Sequence, residues 1–226
     1  MSPKSSDKFE LMTADGKKLS AIFYSAENPS GWLIFIHMMP ATKESWSFLA
    51  GKFLESGYSS VAFDLRGHGE SEGGPQGYKN FSDKEHQSGI KDAEAAWEFL
   101  KSKGAVPEKT FLIGASIGAN LALQFLAGHP EFKRGVLLSA GLDYRGVRTE
   151  PLAGKLHEDQ GILLVSSRDD GANLEENLKL LESVKMKAGA QMLSLNEAGH
   201  GTDMLSSDEA DVPADIIEFI KNGNNL

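Results

Sequence analysis

Two rhythms of hydrophobic residues take turns along the chain. Residues 9–12 and 18–24 alternate apolar with polar positions on either side of Asp15-Gly16, the pattern of a β-hairpin closed by a tight turn. Near-unbroken apolar runs follow at residues 32–36, 60–63, 111–113, 136–139, 162–165 and 192–195. Runs of this kind suit strands buried on both faces of a parallel sheet. Between them the spacing changes to three and four. Trp46, Leu49, Phe53 and Leu54 line one face of a helix predicted over residues 44–56, with Gly57 as its C-terminal cap. Ser82 and Glu85 form a capping box for a long helix to about Lys103, striped by Ile90, Ala93, Trp97 and Leu100. Further helices are predicted over residues 119–127, 174–187 and 213–220, whereas residues 141–160 read as irregular and polar.

Strands alternating with helices predict an α/β fold: a mostly parallel sheet with helices on both faces and right-handed crossovers. Residues 1–8 are polar and read as an N-terminal tail without the apolar core of a signal peptide. Residues 9–226 read as a single domain. In such sheets the chemistry collects at the carboxyl ends of the strands. His37, Asp64, Ser116, Asp170 and His200 all stand at such ends.

One of these ends has a specific form. Gly114-Ala115-Ser116-Ile117-Gly118 lies between an apolar strand and a helix-forming run. Strand, sharp turn and helix are what a nucleophile elbow needs. The two glycines let strand and helix pass closely, and the turn lifts the Ser116 hydroxyl above the sheet. A hydroxyl is a weak nucleophile until a base takes its proton. His200, between two glycines after the last strand, is the expected base. That imidazole needs a carboxylate to fix its tautomer, and Asp170 or Asp169 can supply it. The preceding strand ends at Val165, which favours Asp170.

Composition narrows the classes. The formal charge is −9, which argues against binding nucleic acid or anionic membranes. No cysteine is present, so disulfides, thiolate metal sites and cysteine nucleophiles are excluded. No apolar run approaches the ~18–20 residues that span a bilayer. The histidines and carboxylates lack the spacing of a metal site, and the glycine-rich loop from Gly69 lacks the lysine of a phosphate cradle. No cofactor is called for.

The order Ser116, Asp170, His200 is the nucleophile, acid and base order of the α/β-hydrolase fold. The chain resembles that family over about residues 9–221. His37-Met38-Met39-Pro40 with Trp46 is similar to the family's oxyanion loop and its following tryptophan. The stretch from Asp64 through Arg66-Gly67-His68-Gly69 to Ser71 matches its Asp-x-Arg-Gly-x-Gly-x-Ser loop, and Gly199-His200-Gly201 its base loop. The resemblance implies a mostly parallel eight-stranded sheet with helices on both faces. It implies an oxyanion hole from the backbone N–H groups of Met39 and Ile117. Met38 stands where the family usually has glycine, which leaves Met38 or Met39 as the donor and makes Met38 a candidate for lining the substrate site.

The other polar residues read as structural. Asp64 and Arg66 fix a turn, His37 anchors the oxyanion loop, and Glu44 starts a helix in solvent. His86, His129 and His157 read as surface residues. Only about twenty residues separate the sixth and seventh strands, too few for a cap domain, so an open cleft is expected. The reading is a serine carboxylesterase for small, short-chain esters, with a small-molecule partner, no nucleic acid or membrane, a monomeric or homodimeric state and a cytoplasmic location. Thioesterase, acyltransferase, peptidase and perhydrolase chemistries share every residue named. A binding protein that keeps the fold with little turnover is the alternative of a different class.

Overall fold

The computed structural model describes residues 5–222. The chain opens with β1 (Ser5–Met12), β2 (Lys18–Ser25) and β3 (Gly31–Ile36). It continues through α1 (Ser47–Glu55), β4 (Tyr58–Phe63), α2 (Asp83–Gln87), α3 (Ile90–Ser102), β5 (Thr110–Ala115) and α4 (Ile117–Gly128). Next come β6 (Arg134–Leu138), the two-residue strands β7 (Asp143–Tyr144) and β8 (Val147–Arg148), and α5 (Thr149–Ala153). The last elements are β9 (Gly161–Ser167), α6 (Asn173–Lys185), β10 (Gly189–Leu195) and α7 (Val212–Asn222).

Eight strands form one sheet in the order β1-β2-β4-β3-β5-β6-β9-β10. β1 pairs with β2, and β2 with β4, in antiparallel fashion; every other neighbour is parallel. This is the predicted α/β-hydrolase architecture. The apolar runs behave as their pattern requires: β3, β4 and β5 are buried at every position. Their side chains divide by the two-residue period of a strand. Ile34, Ile36 and Leu112 join α3, α4 and α6 in one core, around Trp97, Phe125 and Phe132. Leu33, Phe35 and Ile113 join α1 and α7 in the other, around Trp46, Phe53 and Phe219.

Several boundaries differ from the pattern. The first strand begins at Ser5, so the stretch read as a tail extends only over residues outside the description and into β1. The helix predicted from Glu44 starts as a 3-10 turn over Lys43–Trp46 before α1. The capping box at Ser82 and Glu85 is present, but the long helix is broken at Ser88 and Gly89. A Cβ at Gly89 would lie 3.0 Å from Leu121 Cδ1 on α4, so the break lets α3 start close against its neighbour. The break also turns His86 inward, where it is buried, which corrects its reading as a surface residue. His129 is half-exposed and stacks on Phe125, while His157 is exposed. Residues 141–160 are not irregular throughout: they carry the β7–β8 hairpin and α5, a small insert rather than a domain.

Buried ion pairs fix the loops that flank the site. Asp64, fully buried, accepts from Lys43 N at 2.7 Å, Lys43 Nζ at 2.8 Å and Glu70 N at 2.8 Å. Burial pulls the Lys43 ammonium down, but hydrogen bonds to Asp64 and Glu70 outweigh it and hold the group above the usual lysine range. Glycine is obligatory at residue 69, where φ is +47° and a Cβ would meet Asp64 Oδ2 at 2.2 Å. Arg66 bridges Asp92 on α3 and Asp15 in the first hairpin turn. Both residues therefore fix turns, as expected. Glu44 is exposed and pairs with Lys43 and Lys8.

Candidate active site

The elbow is built by backbone crowding. A Cβ on Gly114 would stand 2.1 Å from Gly118 O, and one on Gly118 would stand 2.2 Å from Ile36 O. Strand β5, helix α4 and strand β3 therefore meet backbone to backbone. Ser116 caps α4 with φ +54° and ψ −121°, a conformation costing roughly 1–3 kcal/mol for a residue with a side chain. Its N–H donates to Leu138 O at 2.8 Å, and its carbonyl accepts from Ala119 N at 2.9 Å.

Asp170 and His200 come together. His200 Nδ1 donates to Asp170 Oδ2 at 2.7 Å. A carboxylate oxygen only accepts, so Nδ1 carries the proton and the Nε2 lone pair is the basic position of the neutral ring. Asp169 turns elsewhere. Its carboxylate accepts from the Ser167 hydroxyl and, at 3.2 Å, from Gly199 N. The Ser167 hydroxyl holds it below the usual carboxylate range. Asp169 thus braces the loop that carries His200, while Asp170 meets the imidazole.

The base loop lies against the elbow. A Cβ on Gly201 would be 3.3 Å from Ala115 Cβ and 2.5 Å from Met38 Sδ. Met38 therefore packs under the base loop, with its sulfur 3.9 Å from Thr202 Oγ1. Met39 turns to the opposite core and, with Ile117, Leu65, His68, Phe81 and Leu121, lines a cavity of about 10 Å³. That is room for about one water. Among the described residues no hydrogen bond engages the N–H of Met39 or Ile117. Ile117 is the first residue of α4, where N–H groups have no intrahelical partner.

His37 is a structural pin. Its Nδ1 donates to Met38 O at 2.8 Å and its Nε2 accepts from Leu65 N at 2.9 Å, which requires the neutral ring. Burial and the neighbouring His68 lower its pKa to about 4. It ties the loop after β3 to the end of β4, the anchoring expected from sequence. His68 donates from Nδ1 to Arg66 O and stacks on Tyr78.

Other residues at the site were missed from sequence. Ser139, fully buried with φ +50°, donates to Asp170 Oδ2 at 2.8 Å and accepts from Gly201 N at 2.9 Å. It directly follows β6, so the carboxyl-end rule that singled out the others also reaches it. Tyr144 on the insert places its hydroxyl 3.4 Å from Asn173 Nδ2. Burial pushes its hydroxyl up, so it is a protonated donor. Three buried asparagines hold the insert. Asn120 bonds Gly141 O, Gly141 N and Val147 O, and Asn173 and Asn177 both donate to Ala140 O. No sequence signal in a polar, aperiodic stretch points to Tyr144.

Among the described residues no group of three His, Asp or Glu side chains could hold a metal ion, and no helix is long and apolar enough to cross a membrane.

The family model Hydrolase_4, described as serine aminopeptidase, S33, matches residues 27–212. The chain belongs to that family. The match spans Met38, Met39, Ser116, Asp169, Asp170 and His200, and the protein is a hydrolase of the α/β-hydrolase fold. A relative is the Thiohydrolase aneE of Aspergillus aculeatus, 35% identical over 124 residues, covering 53% of this chain and 37% of that protein. The chain thus spans well under half the length of that curated relative. Among solved structures, the Pyrococcus furiosus esterase Pf2001 superposes with a TM-score of 0.77 at 22% identity, covering 96% of this chain and 92% of that one. DcsB, solved in complex with its substrate analogue, superposes with a TM-score of 0.81 at 16% identity, covering 97% and 99%. These two likenesses concern the fold.

Proposed function

We propose that this hydrolase is a serine carboxylesterase acting on small, short-chain esters, with Ser116 as nucleophile, His200 as base and Asp170 as acid. The observation that carries the reading is the 2.7 Å hydrogen bond from His200 Nδ1 to Asp170 Oδ2, in a loop packed against the strained Ser116 elbow. It leaves Nε2 as the proton acceptor that a serine nucleophile requires.

Ser116 Oγ attacks the ester carbonyl as His200 Nε2 takes its proton. The new C–O bond makes a tetrahedral oxyanion, stabilised by the N–H groups of Met39 and Ile117. Collapse breaks the bond to the leaving alkoxide, which takes the proton back from Nε2. Water then attacks the acyl-enzyme, giving its proton to His200, and collapse releases the carboxylic acid and restores the Ser116 hydroxyl. The small insert after β6, in place of a cap domain, supports an open cleft that suits small esters.

A second reading, hydrolysis of thioesters, is favoured by the thiohydrolase relative. The same steps serve it with a thiolate leaving group. Matched butyryl substrates test both readings: a p-nitrophenyl ester, an N-acetylcysteamine thioester and an amino-acid p-nitroanilide. The ester reading predicts the highest kcat/KM on the oxygen ester. A preference for the thioester would move the assignment to a thioesterase, and a preference for the anilide to a peptidase.

A further inference from the structure

Residues 138 and 139 touch the three segments that carry Ser116, Asp170 and His200. Leu138 O accepts the Ser116 N–H at 2.8 Å, and Ser139 N donates to Val165 O at 2.9 Å, on the strand that leads to Asp170. The Ser139 hydroxyl then joins acid to base loop: it donates to Asp170 Oδ2 at 2.8 Å and accepts from Gly201 N at 2.9 Å, one residue from His200. The oxygen it reaches is the same Oδ2 that receives His200 Nδ1. Among the described residues only Ser116, Ser139 and Arg145 are non-glycine residues with positive φ. A glycine would sit at +50° without strain, but it would bring no hydroxyl. Strain kept at a fully buried side chain that spends both its donor and its acceptor on the site points to function.

We infer that Ser139 is a positioning residue for the hydrolytic reaction: its hydroxyl sets the charge and direction of Asp170 and locks the His200 loop over the elbow. This rests on Ser116, Asp170 and His200 acting together as proposed above. The donor on Oδ2 shares the negative charge of the carboxylate with the imidazole. Without it, Asp170 holds the imidazolium more tightly, and the neutral base forms only at higher pH. Without the acceptor, the Gly201 N–H loses its partner and the base loop loosens.

The test uses Ser139→Gly and Ser139→Ala with a fluorophosphonate, which labels an activated serine whatever the natural substrate. Both variants remove the hydroxyl, while only glycine relieves the backbone. The rate of labelling per folded molecule, counted by thermal melts, is followed against pH. In both variants it is expected to fall by at least about tenfold, the worth of roughly one hydrogen bond, with the acid limb moved to higher pH. An unmoved limb in both variants, or a shift in only one of them, would overturn the inference. Ester hydrolysis is followed in parallel. Wild-type protein that is labelled but inactive on esters would refute the ester reading alone and leave this result standing. Wild-type protein that is not labelled would refute both.

Discussion

Asp170 meets His200 at 2.7 Å, while its neighbour Asp169 sends its carboxylate to the Gly199 N–H at 3.2 Å. Adjacent carboxylates thus face different parts of the same loop, one the imidazole and one the backbone that carries it. Asp170→Asn is expected to lower kcat on the order of 10³–10⁴-fold, because the amide presents a donor to Nδ1 and favours the wrong tautomer. Asp169→Asn keeps one oxygen for Gly199 and is expected to cost less than about tenfold. Steady-state kinetics on a p-nitrophenyl ester measures both. The opposite ranking would give the acid role to Asp169.

The turn after β3 is held by a buried ion pair. Asp64 is fully buried and Lys43 is 1% exposed, with Lys43 Nζ on Asp64 Oδ2 at 2.8 Å. Lys43→Met leaves that carboxylate uncompensated, and a loss of about 3–5 kcal/mol in unfolding free energy is expected. Adding Asp64→Asn removes the stranded charge and is expected to recover more than half of it. Urea unfolding of wild type, single and double variants supplies the comparison. A single-variant loss below about 1 kcal/mol would mean that the pair does not hold the loop.

His37 makes stability depend on acid. Its pKa is lowered to about 4 by burial and the nearby His68, whereas in the unfolded chain it titrates near 6.5. Between those values the unfolded state binds a proton that the folded state refuses. Stability from this group is therefore complete above about pH 6.5 and is lost as pH falls towards 4, by roughly 3 kcal/mol. His37→Asn keeps a donor for Met38 O without a titrating ring. The stability difference between wild type and variant should shrink by about that amount from pH 7 to pH 4. A difference constant with pH would show that His37 titrates normally in the fold.

The sheet was legible because its strands are buried on both faces, and the apolar runs at residues 32–36 and 111–113 had no other use. The break at Gly89 was not, since the stripe from Ile90 to Leu100 continues in phase from the capping box. At the site, Ser116 and His200 announced themselves through flanking glycines and strand ends. One residue of offset separated Asp169 from Asp170, and periodicity cannot say which way a loop carboxylate turns. The place of Tyr144 depends on contacts made by distant residues, among them Asn120 and Asn173. Local sequence carries no trace of those.

The central claim, that Ser116 is the nucleophile, is tested most directly by comparing wild type with Ser116→Ala on p-nitrophenyl acetate under identical conditions. The expected result is turnover by wild type well above the buffer rate, and a fall of at least roughly 10³-fold in the variant. Equal rates for the two proteins would contradict the account.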